Sequence, residues 1–376
     1  MLAGADIRGT TSRPMGLLQR RLHLDAVLLL PLLALAGLGL VVLYSAFGQE
    51  LDAIRRQGLR LGVAFGAMAA LAQVPPWTLR RWTPWLFGAG VLLLGAVLLV
   101  GVEAGGAHRW LDLKVVRFQP SEILKLALPM AVSALLARET LPPGARATLL
   151  SLGLIALTAV LVALQPDLGT AVLVTAAGLF ALYLAGLRWR VIGGTALLAA
   201  ATAPALWFFG MRDYQRGRVL TFLDPERDPL GAGYHIIQSK IAIGSGGVYG
   251  KGWLNGTQSH LNFLPEQHTD FVFAVLSEEF GLAGVALLLG LYLAVVARGL
   301  YIAQCAQDTF SRLLAGSIAL TFFVYVFVNI GMVSGLLPVV GLPLPLISYG
   351  GTSLVTILAG FGILMSIHTH RRLWPS

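Results

Sequence analysis

The chain has 376 residues, of which 56% are hydrophobic and 12% are charged, and its mean hydropathy is +0.77. Because a soluble globular domain carries about 25% charged residues, this composition excludes an ordinary water-facing surface and disfavours a disordered chain. The net charge of +9 therefore indicates a membrane protein before a nucleic-acid-binding one, and the single cysteine, Cys305, excludes an intramolecular disulfide.

Apolar runs of about 20 residues, the length that crosses roughly 30 Å of hydrocarbon as a helix, recur along the chain. The first run is too long for a signal-peptide core and is expected to remain as a spanning helix. We predict an all-α polytopic membrane protein that forms one domain over residues 1–376, with a tail at 1–23 and a long polar segment at 211–270. The ten predicted spans are 26–47, 57–74, 84–102, 121–137, 147–165, 168–186, 191–210, 271–297, 312–334 and 346–367.

The distribution of Lys and Arg predicts the orientation, because short cytoplasmic loops are enriched in positive charge. With the N-terminus inside, every inner connection carries at least two positive charges, including Arg80–Arg81 and Arg188 with Arg190. Both termini are then cytoplasmic, and the long segment between the seventh and eighth helices lies outside. Many acids and bases share that outer side, which indicates either a site for an anionic head group or a solvated loop face.

Glu122 and Lys125 open the fourth predicted helix, in Gln119-Pro-Ser-Glu-Ile-Leu-Lys125. An ionisable side chain in a spanning segment costs roughly 2.5–3.5 kcal/mol and is a functional candidate by default. The i,i+3 spacing places both charges on one helix face, with Pro120 suited to the first turn and Ser121 able to cap. The pair either neutralises itself at the membrane edge, or Glu122 holds Lys125 so that the cation faces an outer cavity.

Two aspartates directly precede predicted helices. Asp167 follows Gln165-Pro in a short turn, where the pattern favours a helix cap. Asp270 precedes an apolar helix that starts at Phe271, so it is either a cap, which would lower its pKa, or a general base, which needs a raised pKa. The spacing leaves both roles of Asp270 open.

Four groups of motifs occur in order over nearly the whole chain, and with them it resembles the SEDS family (shape, elongation, division and sporulation). Members of this family are polytopic peptidoglycan polymerases of bacteria. Asn262-Phe-Leu-Pro-Glu-Gln-His-Thr-Asp270 and Asn329-Ile-Gly-Met332 resemble the elongation branch more than its division-specific paralogue. The four groups are Gly106-Ala-His-Arg-Trp-Leu111 with Gln119-Pro-Ser-Glu122; Gln165-Pro-Asp-Leu-Gly-Thr170; Phe222-Leu-Asp-Pro225 through Asp228-Pro-Leu-Gly-Ala-Gly-Tyr234 to Asp270; and Gly335-Leu-Leu-Pro338, Leu342-Pro-Leu-Pro345 and Ser348-Tyr-Gly-Gly351.

The resemblance implies a glycosyltransferase in the bacterial inner membrane that uses lipid II and forms undecaprenyl-linked glycan, with its active site facing outside. It implies that Asp270 is the essential carboxylate. It also implies a class B penicillin-binding protein and other elongation-complex proteins as partners, and no nucleic acid. The matching substrate-binding residues are Arg109, Trp110, Glu122, Lys125 and Asp167.

The expected reaction is an inverting displacement in which Asp270 takes the proton of the 4-hydroxyl that attacks C1 of the donor sugar. Arg109, Lys125 and Arg216 or Arg218 would neutralise the departing pyrophosphate. Mg²⁺ or Mn²⁺ is compatible with the same task, although no carboxylate pair identifies its ligands. The alternatives are a lipid II transporter, which would need polar groups through the whole bilayer thickness, and a passive scaffold, which would tolerate changes at the outer carboxylates.

Overall fold

The computed structural model describes residues 22–100, 102–104, 107–112, 117–165, 167–187, 213–224, 232–260 and 266–370, with 193–194, 197, 201–202, 204, 207–208 and 211. The first half of the chain forms six long helices. They are α1 (Ala26–Ala46), α2 (Leu51–Ala72), α3 (Pro76–Val100), α4 (Ser121–Leu136), α5 (Ala145–Leu164) and α6 (Leu168–Leu184).

From residue 213 onward, the described part of the chain contains three shorter helices followed by three long ones. They are α7 (Asp213–Leu223), α8 (Ala232–Ser245), α9 (Thr257–His260), α10 (Val272–Gln304), α11 (Thr309–Val333) and α12 (Thr352–Thr369). The segment at 211–270, predicted only as polar, thus contains α7, α8 and α9. Nine of the predicted spans overlap α1–α6 and α10–α12, with boundaries that differ by up to eight residues. The seventh, 191–210, lies largely outside the described residues.

Six of the described helices are long and apolar enough to cross a membrane, namely α1, α3, α5, α10, α11 and α12, and α6 is a shorter apolar helix. The chain is therefore a polytopic membrane protein, as its composition predicts. Helix α2 begins at Leu51 rather than at residue 57, and α3 begins at Pro76 rather than at residue 84. The Arg80–Arg81 pair, which we assigned to an inner connection, therefore lies on α3.

A small antiparallel sheet lies between α3 and α4 and adds to the predicted helical architecture. Its strands are β1 (Val102–Ala104), β2 (Ala107–Asp112) and β3 (Arg117–Phe118), in the order β1-β2-β3. Glu103 pairs with His108, and Leu111 pairs with Phe118. The sheet carries the backbone of residues 109 and 110, whose side chains lie outside the described part of the structure.

The largest apolar core is shared by α1, α2, α10, α11 and α12, and a smaller one joins α4, α5 and α6. Helix α11 packs against α4, α6, α10 and α12 and so lies between these two groups of helices. Side chains on different faces of α11 can therefore touch both groups.

Helix α10 is 33 residues long and is interrupted at Gly281, whose φ of 61° and ψ of −159° are not helical. The segment after α8 packs into this break. A Cβ at Gly281 would stand 2.3 Å from Gly250 N, and Lys251 N donates to Glu278 O at 3.0 Å. The buried Glu278 carboxylate also accepts from Lys251 Nζ at 2.7 Å. The first part of α10, which follows Asp270, is thus fixed by this glycine-rich segment.

Candidate active site

Asp270 lies in the turn formed by residues 266–271, immediately before α10. Phe271 occupies the N-cap position of α10, and no side chain caps that helix end. The sequence left capping and general-base roles open for Asp270, and in the structure Asp270 does not cap α10.

The surroundings of Asp270 raise the pKa of its carboxyl group. Burial raises the pKa of Asp270 to about 6; the nearby Glu266 carboxylate adds to this rise, and the Arg218 guanidinium opposes it. A Cβ at Gly341 would stand 3.5 Å from Asp270 Oδ2, so the loop after α11 lies against the carboxyl group. A carboxylate with a pKa near the working pH is suited to general-base catalysis.

Glu122 and Lys125 form the predicted i,i+3 ion pair at the start of α4, with Lys125 Nζ 2.6 Å from Glu122 Oε1. Both side chains are buried, and Lys125 Nζ lies 5.3 Å from the centre of the Tyr325 ring. The predicted cap is wrong in detail, because α4 has Pro120 at its N-cap position and no side-chain cap.

Asp167 caps α6, as its position in the sequence predicts, and its Oδ1 accepts from Thr170 N at 3.2 Å. Its other oxygen accepts from Gln119 Nε2 at 3.0 Å. Gln119 precedes α4, so this bond ties the start of α6 to the start of α4. Asp167 therefore supports the end of the bundle that carries Glu122 and Lys125.

The two arginines of α7 are held by main-chain oxygens. Arg216 Nη2 donates to Phe208 O at 2.9 Å, and Arg218 Nη1 donates to Val339 O at 3.2 Å. Val339 belongs to the same connection as Gly341, so Arg218 reaches the surroundings of Asp270, whereas the bond of Arg216 leads to the segment before α7.

Two residues of α11 connect these groups, and the sequence analysis gave them no role. Tyr325 faces Lys125, and Asn329 Nδ2 donates to Asp270 O at 3.0 Å. Residues four apart on a helix are neighbours on one face, with Cβ atoms about 5–6 Å apart. The Asn329-Ile-Gly-Met332 motif was a signal for Asn329, whereas Tyr325 lies in an apolar run that reads as core.

A small cavity of about 40 Å³ lies beside Lys125, between α4, α11 and α12. Apolar side chains such as Pro129, Phe322 and Phe361 form most of its wall, which Lys125 and Tyr325 also line. Lys125, whose charge is paired with Glu122, thus borders a small apolar space.

Within the described ranges, no three His, Cys, Asp or Glu side chains are grouped so that they could hold a metal ion. Glu122 is engaged by Lys125, and Asp167 by Thr170 and Gln119. These residues do not form a dedicated protein cage for Mg²⁺ or Mn²⁺.

The fold and the site define a polytopic helical membrane protein with a buried, charged site beside an apolar cavity. Residues 21–373 match the FtsW/RodA/SpoVE family, described as cell cycle proteins, and the chain belongs to this family. The resemblance to the SEDS proteins drawn from the motifs is thus confirmed.

Similarity to individual members extends over nearly the whole chain. The peptidoglycan glycosyltransferase MrdB of Escherichia coli is 56% identical over 353 residues, which cover 94% of this chain and 95% of that protein. The probable peptidoglycan glycosyltransferase FtsW of Geobacter metallireducens is 37% identical, over 93% of this chain and 96% of its own.

Two solved structures share the fold. A chain from a study of polymerization and crosslinking by a peptidoglycan synthase complex has a TM-score of 0.80 and 38% identity, covering 93% of this chain and 98% of its own. The rod shape determining protein RodA of Thermus thermophilus has a TM-score of 0.69 and 33% identity, over 92% and 96% of the two chains.

Proposed function

We propose that this protein is a peptidoglycan glycosyltransferase of the RodA type, which polymerises lipid II into glycan strands during cell elongation and maintains rod shape. The 56% identity to a protein of that name supports the reaction class, and the lower identity to FtsW favours elongation over division. The observation that carries the mechanism is the half-buried Asp270 carboxyl group, whose pKa is raised to about 6.

In the proposed reaction, the 4-hydroxyl oxygen of one lipid II sugar forms a bond to C1 of the donor sugar. Asp270 takes the hydroxyl proton, and the bond from C1 to the pyrophosphate oxygen breaks, so undecaprenyl pyrophosphate leaves with its electron pair. A displacement at C1 inverts the anomeric configuration. General-base assistance of this kind contributes roughly 10²–10⁴-fold in rate.

Charge on the leaving group is stabilised by nearby cations, usually a large contribution to such reactions. Lys125 has the strongest support, because it is a buried cation at the start of α4 and lies beside an apolar cavity. Arg218 stands near Asp270, and Arg109, Trp110 and Arg216 complete the proposed substrate contacts. Glu122 and Asp167 orient Lys125 and the ends of α4 and α6.

A divalent cation, Mg²⁺ or Mn²⁺, stays a prediction. Mg²⁺ is commonly bound through one or two carboxylates plus substrate phosphates rather than by an all-protein cage. The described residues form no such cage.

The proposed setting is the bacterial inner membrane, with ten spanning helices, both termini in the cytoplasm and Asp270 facing outside. The proposed partners are a class B penicillin-binding protein, which crosslinks the strands, and other elongation-complex proteins. The similarity to a chain studied for coordinated polymerization and crosslinking supports this assignment.

The rival function is a lipid II transporter, and detergent micelles separate the two because they offer no second compartment. We expect the purified protein to form glycan chains from lipid II in micelles, and Asp270→Asn to abolish this product. Asp52→Asn, at an exposed acid of α2, is the matched control and should retain it. Absence of glycan from an intact, lipid II-binding wild-type protein would contradict the proposed reaction.

A further inference from the structure

Three successive backbone carbonyls of the Asp270 turn accept hydrogen bonds from α11 and the connection that follows it. Tyr349 N donates to His268 O at 2.8 Å, and Ser348 Oγ donates to Thr269 O at 2.6 Å. Asn329 Nδ2 donates to Asp270 O at 3.0 Å. The main chain on the N-terminal side of α10 is thus held at every residue from 268 to 270.

Asn329 links the Asp270 turn to the loop that lies against its carboxyl group. Its Nδ2 donates a second bond, to Leu342 O at 2.6 Å, and Leu342 follows Gly341, which packs against Asp270 Oδ2. The Asn329 side chain is fully buried. A single amide group therefore links the Asp270 turn to the Gly341–Leu342 segment, which lies against the Asp270 carboxyl group.

Ser348 makes a similar link on the other side. Its hydroxyl accepts from Leu344 N at 2.7 Å while it donates its proton to Thr269 O. One side-chain oxygen therefore bridges the loop after α11 and the residue before Asp270.

The side chains of the turn attach it to α1 as well. Gln267 Nε2 donates to Ala46 O at 3.0 Å, and the His268 ring stacks on Phe47 with centroids 3.9 Å apart. The turn is consequently held between α1 on one side and the α11–α12 connection on the other.

We propose that Asn329 and Ser348 are positioning residues for the glycosyl transfer: they hold the backbone of the Asp270 turn so that its carboxylate stays aligned with the attacking hydroxyl. This inference rests on the proposed base role of Asp270. It gives a physical role to the Asn329-Ile-Gly-Met332 and Ser348-Tyr-Gly-Gly351 motifs, which have no catalytic chemistry of their own.

Loss of either link should affect chemistry more than binding. A displacement of about 1 Å at a reacting group can cost about 10²-fold in rate, because near-attack geometry is lost. The proposed leaving-group contact at Lys125 is separate from Asn329 and Ser348, which do not line the cavity beside Lys125. We therefore expect kcat to fall and KM to change little.

The pH profile offers a readout that a loss of stability alone would not change. Glu266 in the same turn and Arg218 on α7 are the charged groups that influence Asp270. His235 stacks on the adjacent Phe271, and residues 329–351 contain no charged side chain. If the turn loosens, the carboxyl group gains water, and the acid limb of kcat/KM should move to lower pH.

The test measures lipid II polymerisation by the full-length protein in detergent for Asn329→Ala and Ser348→Ala. We expect kcat to fall by about 10²-fold for Asn329→Ala and by less for Ser348→Ala, with KM nearly unchanged and the acid limb shifted downward. Ser348→Thr, which keeps a hydroxyl donor, should restore activity. Wild-type kcat in both alanine variants would overturn the proposal.

Two controls remove buried hydrogen bonds of the same kind without touching the turn. Ser366 donates to Val74 O at 2.5 Å, and Ser317 donates to Ala177 O at 2.6 Å, so Ser366→Ala and Ser317→Ala should keep kcat and the pH limb. Equal losses in the controls would also overturn the positioning role. Asp270→Asn in the same assay separates the base role of Asp270 from the positioning role of Asn329 and Ser348. Activity in Asp270→Asn rejects the base role. An inactive Asp270→Asn together with fully active alanine variants rejects only the positioning role.

Discussion

At the scale of single residues, burial and two charged neighbours, Glu266 and Arg218, set the pKa of Asp270. Burial and Glu266 raise its pKa, and Arg218 lowers it. Glu266 is four residues away in sequence, but Arg218 comes from a separate helix. The sequence could place the acid before α10, but it could not decide between cap and base, because that depended on where α10 begins and on which charges fold against the turn.

The raised pKa predicts the pH dependence of the reaction. The ionised carboxylate is the active form, so kcat/KM should rise as pH increases through about 6 and level off above it. Arg218→Ala removes the opposing cation and should move this limb to higher pH. A wild-type limb near the ordinary aspartate value of about 4 would contradict the assignment.

The raised pKa of Asp270 also affects folding stability, which should fall over the pH range in which activity rises. Because the pKa of Asp270 is higher in the folded state, the folded protein binds more protons than the unfolded chain between about pH 4 and 6. This carboxyl group should therefore lower stability as pH rises through that window. The measurement is the thermal midpoint of Asp270→Asn, which should lose this contribution to the pH dependence.

Lys125 and Glu122 predict a non-additive pair of substitutions. Lys125→Met should destabilise the protein by about 3–5 kcal/mol, because it leaves the Glu122 carboxylate buried without its partner. The double variant with Glu122→Gln should recover thermal stability but not polymerisation. Recovery of activity in the double variant would show that the pair is only structural.

At the scale of elements, the break in α10 connects the position of Asp270 to a distant segment. Long apolar runs predicted the helices well, because the bilayer length fixes them. They could not predict the interruption at Gly281, which depends on a contact with Gly250 thirty-one residues earlier in the chain. The short helices α7–α9 also escaped prediction, because they lie in a polar segment without a long apolar period.

Gly281→Ala tests this element directly. A Cβ there would stand 2.3 Å from Gly250 N in a φ/ψ region that is essentially restricted to glycine, with a cost of about 1–3 kcal/mol. We expect a lower thermal midpoint and reduced polymerisation. Gly290→Ala, in the same helix with open space around it, should change neither property. Equal behaviour of the two variants would show that the contact between Gly281 and the Gly250 segment does not fix the first part of α10.

At the scale of the whole molecule, sequence motifs predicted the family, and the match over residues 21–373 confirms it. The chemistry of the site was only partly predictable. Asp167 as a cap and the Glu122–Lys125 pair follow from local spacing, whereas the roles of Tyr325 and Asn329 depend on α11 lying between two groups of helices.

The predicted orientation can be tested with the single natural cysteine removed. In a Cys305→Ser background, Gln49→Cys in the α1–α2 connection should react with a membrane-impermeant thiol reagent added outside intact cells. Glu139→Cys in the α4–α5 connection should react only after permeabilisation. Both positions are exposed, and the reverse labelling pattern would place Asp270 on the cytoplasmic side and remove it from the proposed reaction.

The central claim is that the Asp270 carboxylate takes the proton during glycosyl transfer. The most direct measurement is a single-turnover experiment with Asp270→Asn, in which lipid II binding, thermal stability and formation of the first glycosidic bond are followed together. The account predicts that the variant folds and binds lipid II as the wild-type protein does, but forms the bond at least about 10²-fold more slowly. Bond formation at the wild-type rate would contradict it.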